Sequence, residues 1–472
     1  MRSAAAAALA AVLAGCSLAP RYQRSEAPVA PAWPSASAAA GTAPADLGWR
    51  DVFGDPRLQA LIELALANNR DLRVAALNVE LTRAQYRIQR ADQFPALAAT
   101  GTATRQHIPQ DLSTTGHPVT TNTFSVGASI TAFELDLFGR VRSLSTAALE
   151  EYLASDEARR SAHLALVGAV ASQYLANRAF EAQVALAKQT LDIVAASFDL
   201  TSKSYAAGRA SELDLRTAES QLHASRFNLS VAEQQRDRAE NALVLLVGQP
   251  LPAGLPPPQP LEAETFLAEL PAGVPSEVLQ RRPDILSAEH ALLSANASIG
   301  AARAAFFPSI TLTAFGGTAS SQLSRLFGAG SSSWSFGPRL NLPIFSGGAL
   351  KASLDVAEVR KSIQVARYEG AIQGAFREVA DALVSRAALD AQLESEQARV
   401  RAEERRYQLS DLRYRKGVDS YLTLLTAQRD LFAAQQLLIQ SRLARLTNLV
   451  DLYRALGGGW RERTAPERVS SR

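Results

Sequence analysis

The sequence predicts a mainly α-helical chain with a small β part, built twice over. Three observations carry this: two stretches of nearly seventy residues almost free of glycine and proline, at about 139–206 and 348–415; short segments of alternating apolar and polar residues ahead of each; and a steady internal register between the two halves. Asp71 matches Asp284, Arg90 matches Arg303 and Phe94-Pro95 matches Phe307-Pro308 at an offset of 213, which falls to 209 at Gly208 and Gly417 and at Gly248 and Gly457. The chain has 472 residues, 47% of them hydrophobic, which excludes a disordered polymer, and its formal charge of +3 is too small to imply nucleic acid as a partner.

Taken in order, residues 1–15 form a signal peptide: Arg2, an apolar run from Ala4 to Ala14 too short to span a bilayer, then "LAGC". That tetrapeptide resembles the bacterial lipobox, which implies cleavage before Cys16 and acylation of its thiol. Cys16 is the sole cysteine, so no disulfide forms; Ser17 in place of aspartate implies sorting to the outer membrane. Residues 16–45, rich in Pro, Ala and Ser, read as a lipid-anchored tether.

The first repeat is assigned to 46–260 and the second to 261–460. Each opens with a helical stretch that stops at Phe-Pro. Two strands follow. Phe124, Val126, Ala128 and Ile130 alternate with Ser125, Gly127, Ser129 and Thr131, as Trp334, Phe336, Leu340 and Leu342 do with Ser335, Gly337, Arg339 and Asn341, although Pro338 weakens the second case by removing a ladder donor. The stretches 106–122 and 316–333, rich in Thr, Ser, Gly and Pro, read as exposed loops.

In the long helical stretches, Phe180, Val184, Ala187, Leu191, Val194 and Phe198 step by four and three, as do Leu424, Ala427, Leu431, Ala434 and Leu438. This spacing makes a seam against another helix. "YAAGRASELDL" and "YRKGVDSYLTL" then read as the tips of two long antiparallel hairpins, with Gly208 and Gly417 at positive φ and Ser211 and Ser420 as N-caps of the returning helices. The proline-rich stretch 246–260 starts a crossing between the halves that packs around the hairpins, and 461–472 reads as a flexible tail. With no long apolar helix after the signal, a closed barrel is the remaining way to span a bilayer, and four strands per chain require several chains; three would give twelve strands.

The combination of "ELDL", "RRPDI", "FFPSI" and "YRKGVDSYLTLLTAQRDL" with the lipobox resembles the TolC-like outer membrane factors, in their lipid-anchored, OprM-like branch. The resemblance implies a homotrimer: a helical hairpin barrel joined to a 12-stranded transmembrane β-barrel, held in outer membrane lipid, with a long periplasmic extension. It implies a gated exit duct for drugs or other small molecules, docked through a periplasmic adaptor onto an inner-membrane pump, typically proton-driven. Position by position, it places a periplasmic gate at Asp214, Arg413, Tyr414 and Arg415, and adaptor contact at Gly208, Arg209, Gly417 and Asp419. An ion pair of Asp214 with Arg413 or Arg415 is the expected latch. Two readings of these charges stand, a latch and an ordinary polar helix end, where exposed pairs contribute about 0 to 1 kcal/mol. Relatives often carry "LLDAQ" where this chain has Thr426, which argues against an acidic ring at that level.

No enzyme and no cofactor are expected. The histidines (His107, His117, His163, His223, His290) lack metal-ligand spacing, "GAGSSS" at 328–333 lacks the lysine of a phosphate loop, and Arg282, Asp284 and Glu289 sit at a helix start, where they cap and orient it. Two alternatives remain: an anchored periplasmic coiled-coil scaffold that conducts nothing, and the protein-exporting duct of a secretion system.

Overall fold

The computed structural model describes residues 18–30, 33, 47–262 and 280–464. In chain order, the elements are α1 (Trp49–Val52), α2 (Pro56–Asn68), α3 (Arg70–Ala91), β1 (Leu97–Ile108), β2 (Val119–Leu135), α4 (Arg140–Ala206), α5 (Glu212–Val247), α6 (Pro283–Ala304), β3 (Ser309–Ser320), β4 (Ser332–Asn341), α7 (Ala349–Arg415) and α8 (Tyr421–Ala455). The chain divides into two units, one comprising Met1–Glu26, Asn78–Asp156 and Ser287–Glu369, the other Ala27–Leu77, Glu157–Leu286 and Gly370–Arg472. The signal peptide and Cys16 lie outside the described residues.

The first unit holds one antiparallel sheet in the order β1-β2-β3-β4. Its register puts the alternating apolar sets on one face: Leu97 opposite Ile130, Ile130 opposite Ala314 and Ala314 opposite Phe336; one pleat away, Ala99, Ala128, Gly316 and Trp334 align in the same way, while Phe315, between Ser129 and Ser335, lies on the other face. The other face carries Thr100, Thr102, Ser125, Gly127 and Gly317. Between Ile130 and Phe133, β2 takes three steps against two on β3, with Ala132 at φ 54°. This bulge returns Phe133 to the face of Ile130, which a regular strand would deny it. Gly127 and Gly317 sit back to back, and a Cβ on Gly317 would lie 2.3 Å from the Val126 carbonyl oxygen. Pro338 stays in register opposite Leu312 on β4, an edge strand of this four-stranded sheet, where proline is best tolerated.

Two expectations change in this unit. The strands invade the stretches read as loops, leaving only 109–118 and 321–331 outside them, because Thr and Ser satisfy a pleated ladder as well as they fill a turn. The tether is docked along part of its length. Tyr22 Oη donates to Glu289 Oε1 at 3.0 Å, Arg24 Nε donates to the same oxygen at 2.8 Å with a second bond from its Nη2 to Oε2, and Asn296 donates to the Pro20 carbonyl at 2.8 Å. Burial opposes the charge on Glu289, yet the bonds from Arg24 and Tyr22 outweigh it and hold the carboxyl below its ordinary pKa.

The second unit is helical. Its core gathers Trp49, Phe53, Leu61, Ile62, Val170, Tyr174, Val247, Val379, Leu452 and Tyr453, with Trp33 of the supposed tether stacked on Phe376 at 4.4 Å. Asp55 caps α2 by accepting from the Arg57 N–H, and it accepts the Tyr174 hydroxyl at 2.6 Å, pinning α4 to α2. The 246–260 stretch packs on this core through Leu251 and Leu255, and Arg178 donates to the Gln259 carbonyl. In "RRPDI", Arg282 is buried and binds Asp284, Glu378 and the Ala455 carbonyl. The tail begins bound, contrary to the expectation of flexibility from 461: Trp49 and Arg50 donate to the carbonyls of Arg461 and Glu462, and Thr464 donates twice to Asp51. A short polar segment of this kind is ordered by its bonds to α1 and not by apolar burial.

Candidate functional site

The two hairpin tips are built alike. At the end of α4, Gly208 N–H bonds Tyr205 O and Arg209 N–H bonds Ser204 O; at the end of α7, Gly417 bonds Tyr414 and Val418 bonds Arg413 in the same pattern. This is the double bond of a Schellman motif, which needs a left-handed residue, and the glycines stand at φ 71° and 72°. Each return helix then starts at a serine: Ser211 accepts from the Asp214 N–H while the Asp214 side chain accepts from the Ser211 N–H, and Ser420 accepts from the Thr423 N–H. The seam residues close the hairpins: Val184 and Ala187 of α4 pack on Ala232 of α5, and Val400 of α7 packs on Ala434 and Leu438 of α8.

Near the tips the hairpins also meet each other. Ala218, Tyr421 and Leu425 form a small buried cluster against Phe198 and Tyr414. The Tyr414 and Tyr421 rings lie 5.7 Å apart at 57°, and the Tyr414 hydroxyl is 3.4 Å from Thr201 Oγ1. Burial raises the pKa of Tyr421 above its usual value, so it stays neutral in this apolar joint.

The expected gate residues share this end of the second unit, but the charges are partnered differently from the expectation. Within the chain Asp214 serves the cap of α5, accepting the Ser211 hydroxyl at 2.7 Å. Arg413 instead makes the bidentate pair with Asp419, at 2.7 and 2.8 Å, and its bonds draw the Asp419 carboxyl below its ordinary pKa. Arg415 donates to Asp411 at 3.0 Å. The reason is reach: Asp419 lies six residues on, across the turn that Gly417 makes, and Asp411 lies one helical turn back. Arg209 is exposed on the first tip. Thr426 donates to the Leu422 carbonyl at 2.8 Å and adds no charge. The packing of Tyr414 on Tyr421 and its contact with Thr201 were not legible in the sequence, since no local spacing links residues 201, 414 and 421.

At the other functional region, the sheet leaves β1 and β4 as open edges, and its apolar face is bare: Trp334 is 79% exposed and Ile344 just beyond β4 is 92% exposed. Among the described residues no helix is long and apolar enough to cross a membrane. Strands of 12, 17, 12 and 10 residues are each long enough to do so.

The sequence profile of a family described as "Outer membrane efflux protein" matches residues 61–249 and 274–458. The chain belongs to the outer membrane efflux protein family. This efflux protein is 51% identical over 458 residues to the toluene efflux pump outer membrane protein TtgC of Pseudomonas putida, covering 96% of this chain and 94% of the relative. It is 46% identical to the outer membrane protein OprJ of Pseudomonas aeruginosa, with 96% and 95% covered. Its fold matches the open state of the MtrE outer membrane channel of Neisseria gonorrhoeae with a TM-score of 0.89 at 41% identity, over 96% of this chain and all of that one.

Proposed function

We propose that three copies of this efflux protein close their sheets into one barrel in the outer membrane and their hairpins into a duct for small molecules delivered by an inner-membrane pump. The observation that carries the proposal is the four-stranded sheet with two open edges and an uncovered apolar face. An edge of this length in water invites aggregation, and closure removes it. In a four-stranded antiparallel sheet β1 and β4 run in opposite directions, so β4 of one copy meets β1 of the next as an antiparallel pair, and twelve strands leave a water-filled lumen. Cys16 carries the lipid anchor.

The tips form the closed end. Tyr414 and Tyr421 hold the second hairpin against the first, while the Arg413–Asp419 and Arg415–Asp411 pairs stiffen the tip that an adaptor engages, with Gly208, Arg209 and Gly417 at the contact. A latch between Asp214 and an arginine of a neighbouring copy forms only by exchange of these existing partners. The cargo is small and organic, in keeping with the toluene named for the Pseudomonas putida relative. Conduction is passive: the residues supply a path and a closure, and the pump supplies the work.

Native mass spectrometry of the protein extracted from outer membranes tests the assembly. The expected species has three copies, each carrying acyl mass on Cys16; a monomer, or an unmodified chain released by salt, contradicts the proposal.

A further inference from the structure

The second unit contains a cavity of about 220 Å³ between the hairpins, a few turns from the tips. Thr190 of α4, Ser225 and Asn228 of α5, and Gln428, Arg429 and Phe432 of α8 line it, with alanines between them. Its lining holds several polar groups and one cation but no carboxylate. Arg429 stands exposed at the rim of the cavity and has no carboxylate partner among the described residues, which leaves its guanidinium open to an anion. Gln428 is only 6% exposed, and its amide nitrogen is buried without a hydrogen bond. An unpaired buried amide is costly to keep, and a ligand in the adjoining cavity would relieve that cost.

We propose that this cavity binds a small aromatic carboxylate. The carboxylate lies on the Arg429 guanidinium, whose planar fork matches it, and a rotation about the last side-chain torsion of Gln428 turns its amide nitrogen to donate as well. Ser225 and Thr190 offer hydroxyls, and the ring lies against Phe432 and the alanine walls. At about 30 Å³ per water the space equals roughly seven waters, enough for an anion of one ring and one carboxylate. Because the walls come from both hairpins, a bound anion joins α8 to α4 and α5 and favours the packed arrangement. The binding site stands on the cavity alone, and only its influence on opening rests on the duct reading.

The probe is benzoate, with neutral benzamide as its control, titrated by calorimetry into the full-length protein in lipid nanodiscs. Wild type is expected to bind benzoate saturably in the millimolar range and benzamide at least tenfold more weakly. Arg429→Gln and Gln428→Leu are each expected to weaken benzoate at least tenfold while the protein keeps its melting temperature. Benzoate should lower the channel's opening frequency in wild type and leave Arg429→Gln unaffected. No saturable benzoate binding overturns the site, as does equal affinity for benzamide or unchanged affinity in both variants. A protein that conducts normally but fails these tests refutes the site and leaves the duct standing; one that binds benzoate as expected but never conducts keeps the site and refutes the duct.

Discussion

Tyr414 offers the sharpest perturbation of the joint between the hairpins. Its ring is half-buried against Ala218, Tyr421, Leu425 and Phe198, and its hydroxyl makes one long contact, 3.4 Å to Thr201. Removing a fully buried large aromatic ring costs roughly 3–5 kcal/mol, so Tyr414→Ala, with half that burial, costs about 2 kcal/mol of hairpin-to-hairpin contact per chain. At 1.4 kcal/mol per factor of ten, this shifts the balance between joined and parted tips about 30-fold. Tyr414→Phe keeps the ring and loses a contact worth at most about 0.5 kcal/mol. Single-channel recordings in planar bilayers should therefore show opening about 30-fold more frequent in Tyr414→Ala and close to wild type in Tyr414→Phe. Equal behaviour of the two variants would place the effect in the hydroxyl and refute the packing argument. Wild-type gating in a folded Tyr414→Ala protein would remove Tyr414 from the closure.

Further consequences concern stability. Gly208→Ala and Gly417→Ala each meet nothing within 4 Å, so only the left-handed backbone resists them, at about 1–2 kcal/mol apiece in thermal unfolding. Gly317→Ala, by contrast, drives a Cβ to 2.3 Å from backbone and should abolish the heat-resistant oligomer on gels. Arg282→Lys keeps the charge but cannot serve Asp284, Glu378 and the Ala455 carbonyl together; a loss of about 2–3 kcal/mol is expected in chemical unfolding. Because Glu289 has a lowered pKa in the folded protein, its contribution is full above its ordinary value near 4.5 and is lost as pH falls through the lower folded value. Melting temperatures followed from pH 6 down to about 3 should fall more steeply in wild type than in Arg24→Ala, which has already lost that increment.

The helices and the turns between them were legible because their signals are local. Helices read over about 139–206 and 348–415 occupy Arg140–Ala206 and Ala349–Arg415, and the tip glycines and serines do what their chemistry allows. The alternation in β2 and β4 likewise announced an apolar face. What escaped was long-range or two-valued. Threonine serves strand and loop alike, so β1 and β2 ran further than composition suggested. The bulge at Ala132 leaves no sequence mark beyond a break in alternation. A proline-rich lead gives no sign that Arg24 will find Glu289 or that Trp33 will stack on Phe376. At the tips the pairing of Arg413 with Asp419 follows from the turn's geometry, which spacing alone does not show.

The most direct test of the duct is the conductance of the purified wild-type protein in planar bilayers. Brief, discrete openings of uniform size, made more frequent by Tyr414→Ala, are the expected result. A folded, acylated, trimeric protein that inserts into the bilayer yet passes no current in either form would contradict the claim that these sheets and hairpins enclose a path.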